Sequence, residues 1–202
     1  MLNRNCSFWK LMGSGKNGTF DLKPDYKQWA LIAVWKDQQA FESFKNSSFI
    51  SSWWKTFCTE TYTILSTPIA SHGSWDKQNP FKTSENIQFD GPVAVLTRAT
   101  IRFNRLKNFW QNVDKVAGIM TDAKGYITSF GIGETPFFRQ ATFSVWESLD
   151  DVKAFAYRST EHREVIQKTR DENWYSEELF ARFKPLATFG TLNGKDPLAG
   201  II

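Results

Sequence analysis

The feature that most constrains the fold is a stretch that occurs twice. Residues 26–44, YKQWALIAVWKDQQAFESF, lie over residues 137–155, FFRQATFSVWESLDDVKAF, without a gap. Val34-Trp35 falls on Val145-Trp146, Phe41 on Val152 and Phe44 on Phe155. In both copies an apolar strand ends in Val-Trp, a short polar turn follows, and bulky residues then recur at helical spacing. Such self-similarity points to duplication of one supersecondary unit. The chain is therefore expected to hold two α+β halves.

The other segments fit that plan. In the first half WALIAVW reads as a strand, residues 37–57 as one helix and TYTILSTPIASHGSW as a strand. In the second, VAVLTRATIRF is a strand and NRLKNFWQNVDKVAGIMTDAKG a helix closed by Gly125. YITSFGIG and FFRQATFSVW follow as strands, then a helix opened by Ser148 and a last strand, LFARFKPLATFGTL. Asp151, three residues after Ser148, gives that helix start the look of a capping box. Strand-helix-strand-strand-helix-strand is the ferredoxin-like order. The fold class expected is thus α+β, with two tandem ferredoxin-like halves (1–78 and 93–202) joined by a polar linker over 79–92. Open sheets of this kind cover their edges by closing together into an α+β barrel.

Composition narrows the function. Nine Trp and eighteen Phe supply flat apolar surface suited to core, subunit interface or a large elongated ligand. The net charge of +4 is spread among acids and bases with no block of one sign. That argues against a nucleic-acid surface and leaves a weak attraction to anionic membranes. Cys6 and Cys58 are too few for a disulfide framework or a thiolate metal site. No signal-like run opens the sequence, and none approaches about 18 consecutive apolar residues. A cytoplasmic location with at most peripheral membrane contact is expected. GSGKNG (13–18) lacks the Gly-Lys-Ser/Thr ending of a phosphate loop and reads as a flexible turn.

Only two histidines occur. On a helical wheel His162 shares a stripe with Val165, Ile166, Thr169 and Asn173, opposite a charged face of Glu161, Arg163, Glu164, Gln167 and Lys168. An inward imidazole is either a core histidine satisfied by a carbonyl or a metal ligand. A lone histidine does not build a zinc site but suffices for haem, where the porphyrin supplies four nitrogens. His72, next to a glycine, reads as a loop residue or a distal group. Haem propionates want arginine donors. Arg98 and Arg102 share one face of a strand with Leu96 and Thr100, and Arg182 is a third candidate. The first two serve equally as solvent-facing ion pairs.

Residues 10–35, then VAVLTRATIR, FAYRSTEHREVIQKTRDENWYSEELFARF and GTLNGKDPL, resemble the spheroidene monooxygenase family over most of the chain. The resemblance is most specific around Glu161-His162-Arg163 and from Glu172 to Phe183. It implies a haem b protein of dimeric α+β barrel fold, with His162 as the iron ligand, working as a homodimer. It further implies O2 as oxidant, a ferredoxin-like electron donor, and two hydroxylations of a terminal carbon in an acyclic carotenoid that end in a ketone. Trp174 and Tyr175 are either core residues or lining of an apolar cavity, and the core is the expected place for each. A haem-dependent dehydratase, a non-catalytic haem carrier and a cofactor-free monooxygenase are the alternatives.

Overall fold

The computed structural model of the protein describes residues 4–15, 24–81, 83, 89–158 and 160–202, without the side chains of 113–117, 157, 158, 160–164 and 166. Alternating burial resolves into seven strands: β1 (Cys6–Gly15), β2 (Pro24–Trp35), β3 (Tyr62–Gly73), β4 (Val93–Ile101), β5 (Tyr126–Thr135), β6 (Arg139–Trp146) and β7 (Tyr175–Gly190). Between them lie α1 (Gln38–Ser47), α2 (Phe49–Phe57), α3 (Leu106–Thr121), α4 (Leu149–Arg158) and α5 (Thr160–Asp171).

All seven strands join one antiparallel sheet in the order β2-β1-β5-β6-β4-β7-β3. Met12, Ile32, Ile64, Leu96, Ile132, Val145 and Leu179, one from each strand, belong to a single apolar cluster. A flat sheet this wide could not bring its two edges into one cluster, so the sheet is curled around a concave inner face. The outer face carries the helices: Val93, Val95 and Trp146 are buried against Val152 of α4 and Met120 of α3.

The repeated stretch adopts the same local structure twice. Trp35 packs on Phe44 with ring centroids 4.8 Å apart and planes at 36°, and Trp146 packs on Phe155 at 5.1 Å and 34°. Each helix is capped two residues after its tryptophan. Asp37 Oδ1 accepts from the Ala40 N–H at 2.8 Å, and Ser148 Oγ from the Asp151 N–H at 3.1 Å. The Asp151 carboxylate accepts in turn from the Ser148 hydroxyl at 2.5 Å, so it closes a side-chain ring instead of reaching the backbone as a full capping box does.

Three expectations need correcting. The first half does not form a sheet of its own, because β3 lies at the far edge against β7. Gly13, Ser14 and Gly15 of the supposed turn continue β1, with Gly13 and Ser14 paired to Gly133 and Ile132 of β5. The rest of that turn, and most of the linker, lie outside the described residues. Finally, the helix expected over 37–57 breaks at Ser48 (φ −79°, ψ 145°), which ends α1 and caps α2 by accepting from the Ser51 N–H at 3.0 Å.

Helix α1 joins what the strand order leaves apart. Its Phe41 and Phe44 meet Trp35 at the end of β2, and Phe41 also meets Phe189 near the end of β7, at 5.7 Å. Phe44→Ala should therefore lower unfolding free energy by about 3 kcal/mol in urea denaturation, whereas Phe49→Ala, at a residue 82% exposed, should change it by less than about 0.5 kcal/mol.

Candidate functional site

The site follows from how β4 alternates. Val93, Val95, Thr97, Ala99 and Ile101 face the helices, and Ala94, Leu96, Arg98 and Thr100 face the interior of the curl. On the helix side two apolar clusters form. One holds Val93, Val95 and Trp146 beneath α4 and the end of α3; the other holds Ile101, Phe109 and Trp174 with Val165 of α5. They do not merge. Between them Thr97 is exposed, although β4 has strands on both sides and a helical layer above it.

A mid-strand position in a helix-covered sheet is open only where the helices leave a gap. Its floor is set by cross-strand neighbours. Thr97 pairs with Thr142 of β6 and Phe180 of β7, and Thr142 pairs with Gly131 of β5. Two threonines and a glycine keep the floor low, and Phe180 supplies one flat wall. His72 of β3 stacks on Phe180 with centroids 5.2 Å apart.

Arg182 emerges on the same side, two residues from Phe180 and opposite Val95. Its Nε is shielded from solvent without a hydrogen-bond partner, and its guanidinium pairs with no carboxylate among the described residues. The chain runs from the first cluster at Phe155 to the second at Val165. His162 lies on that run, within α5, and its side chain is outside those described.

The interior carries different chemistry. Arg98, 1% exposed, donates through Nη1 to Glu177 at 2.5 Å and through Nη2 to Glu134 at 3.1 Å, over the Trp75 ring. Lys10 pairs with Glu134 at 3.0 Å and with Asp76; Arg139 pairs with Asp76 at 3.3 Å. Burial alone would raise the Glu177 carboxyl. The Lys77 N–H, the Arg98 guanidinium, the Ser74 hydroxyl and the Asp76 N–H together pull it down to about 2.

The three arginines singled out in the sequence are thus not brought together. Arg98 does share a face with Leu96 and Thr100, but that face is the interior, where its charge is already matched. Arg102 lies past the end of β4, exposed, with its Nε donating to the Tyr175 carbonyl at 3.1 Å. Only Arg182 faces the gap. Trp174 and Tyr175 belong to the second apolar cluster, and Trp174 Nε1 donates to Glu172 at 2.8 Å. Sequence reasoning missed Thr97, Thr142 and Gly131. The available signal was small or polar residues at helix-facing positions of otherwise apolar strands.

A family model described as a domain of unknown function, DUF3291, matches residues 93–182, from β4 into β7. The spheroidene monooxygenase of Cereibacter sphaeroides is 36% identical over 194 residues, covering 96% of this chain and 60% of that protein. Those of Rhodobacter capsulatus and Rubrivivax gelatinosus are each 35% identical, covering 95% and 93% of this chain and 80% and 72% of their own lengths. The chain thus spans less than two-thirds of the first of these relatives.

The interior network makes the structure acid-sensitive in a definite range. A carboxyl held below its ordinary 4.5 contributes stability that is complete above that value and lost as pH falls toward about 2. Glu177→Gln should be less stable than the parent at neutral pH and should flatten the acid limb, as read by thermal unfolding midpoints across that range. An unchanged acid limb would remove Glu177 from the account.

Proposed function

The chain belongs to the spheroidene monooxygenase family, and we propose that it is a haem-dependent monooxygenase acting on a hydrophobic, elongated substrate such as an acyclic carotenoid. The observation that carries this reading is Arg182, a cation that meets no carboxylate among the described residues, beside an open gap in the helix-covered face; its Nε, like that of Arg98, is shielded without a hydrogen-bond partner. Leaving such a donor unmatched costs of order 1–3 kcal/mol, which a bound anion would offset. A flat group with an apolar body and carboxylate edges suits the gap. It would lie between Phe180 and the α4–α5 run, with a carboxylate at Arg182.

In this reading His162 would hold the haem iron through its imidazole, and haem b would supply the activation of O2 when bound. The protein's own part is positional. The two apolar clusters exclude water from both ends of the gap, and Thr97, Thr142 and Gly131 leave room above the sheet. A ferredoxin-like donor provides the electrons. Arg98 and Arg102 are left out of the haem contacts, since one is neutralised in the interior and the other lies past the end of the strand.

The architecture is read in the same terms. The order β5-β6-β4-β7 is what one ferredoxin-like unit gives, and β1-β2-α1-β3 matches the last three strands of a second. Among the described residues no helix is long and apolar enough to cross a membrane.

Hemin titration of the full chain, followed by visible absorption, tests the reading. A sharp Soret band should appear at one equivalent, shift with dithionite and carbon monoxide, and collapse in His162→Ala. Arg182→Leu should keep the band shape but lose hemin to a scavenger about tenfold faster, with Arg182→Lys recovering part of the loss. A wild-type spectrum no different from free hemin would overturn the proposal. An unchanged spectrum in His162→Ala would overturn the ligand assignment.

A further inference from the structure

The second helix carries a surface that the fold does not use. On α2 the residues Phe49, Ile50, Trp53, Trp54 and Phe57 occupy one continuous arc of about 140° at the helical 100° per residue. Only one edge of that arc packs inward, where Trp54 meets Phe44 at 6.1 Å. Phe49, Trp53 and Phe57, spaced by four, are 82%, 49% and 67% exposed. The Trp53 and Phe57 rings touch at 5.2 Å, so the stripe is continuous.

We infer that this stripe is a docking surface for an anionic lipid bilayer, with α2 lying in the plane of the headgroups. Charge points the same way. Residues 43–59 contain Lys45 and Lys55 and no acidic residue. Glu42 pairs with Lys45 at 2.9 Å, whereas Lys55 has no carboxylate partner among the described residues. A helix with an aromatic side, a short polar side and an unmatched lysine is the pattern that partitions to a membrane interface. Trp is also the residue favoured at headgroup depth.

Area argues against a second copy of the chain as the occupant. An aromatic side chain offers about 150–250 Å², so the exposed fractions amount to roughly 400 Å². That is about half of the ~800 Å² per partner that a stable protein interface buries. A bilayer sets no such threshold, because insertion of each ring is favourable by itself. The purpose of such docking, reaching a substrate dissolved in lipid, rests on the function proposed above. The surface does not rest on it.

Sedimentation of the full chain with vesicles, without hemin or carotenoid, separates the two. The probes are vesicles of three parts phosphatidylglycerol to seven parts phosphatidylethanolamine, and vesicles of phosphatidylcholine alone. The chain should partition to the anionic vesicles and be released by high salt. Trp53→Ser/Phe57→Ser should weaken partitioning about tenfold or more, and Lys55→Glu roughly fivefold. All three changed residues are exposed, and circular dichroism checks that the variants remain folded. Quenching by brominated lipid should fall in Trp53→Phe, which retains the apolar contact. No binding to anionic vesicles, or binding unaltered in the double variant, would overturn the inference. So would light scattering showing that the double variant dissociates a dimer, which would give the stripe to a second copy. Failure of hemin to bind leaves every one of these readings unchanged.

Discussion

Arg98 lies on β4, between β6 and β7 inside the curl, with almost no exposure, and the faces of the neighbouring strands follow from keeping its charge matched. A buried guanidinium stripped of its partners costs several kcal/mol. Glu134 of β5 and Glu177 of β7 must therefore both point inward. Side chains alternate along a strand, so a slip of one residue in either pairing would turn its carboxylate toward the helices. Lys10 and Arg139 extend the constraint to β1 and β6, and the backbone of the turn after β3 joins through Asp76 and Lys77. One ionic cluster thereby fixes the register of most of the sheet.

The opposite face inherits its contents from that choice. With Arg98 inward, Thr97 faces the helices; with Glu177 inward, Phe180 and Arg182 do. The gap and its unmatched arginine are thus the reverse side of the interior network. The two arginines contrast. Arg98 has two carboxylates and serves the fold, whereas Arg182 meets none among the described residues. Departures from local consistency of this kind are expected at functional sites.

Much of this was legible in the sequence. The repeated Val-Trp stretch marked two strand-helix units, and the Trp–Phe stacking within them has nearly the same geometry in both copies. Period-two spacing correctly placed Arg98 on one face with Leu96 and Thr100. It could not say whether that face was inside or outside, because the matching carboxylates come from strands far away in sequence. The same limit hid the gap, which lies where two helical clusters fail to meet among the described residues. Local chemistry misled at β1, where Gly13-Ser14-Gly15 looks like a turn but is held extended between β2 and β5. At Ser48 the apolar period itself breaks: a continued helix would put Ser48, Ser51 and Lys55 on the face of Phe41 and Phe44, and the Ser48 hydroxyl caps a new helix instead.

That break has a consequence for how the first half is used. Phe41 and Phe44 of α1 are committed to Trp35 and Phe189, where they tie the β2 edge to the end of β7. Had the helix continued through Ser48, the axis of residues 49–57 would be set by that packing. The extended conformation at Ser48 redirects the chain, and Ser48 stabilises the change twice over. Its N–H donates to the Phe44 carbonyl at 3.1 Å and its hydroxyl caps α2. Tethered inward by Trp54, by Ser51, whose hydroxyl donates to the Lys45 carbonyl at 2.5 Å, and by Lys55, whose ammonium donates to the same carbonyl at 3.4 Å, α2 turns the rest of its aromatic arc to solvent. Closure of the sheet and presentation of an apolar surface thus fall to separate helices. Altering the outer stripe of α2 therefore leaves the contacts that hold the sheet edges in place.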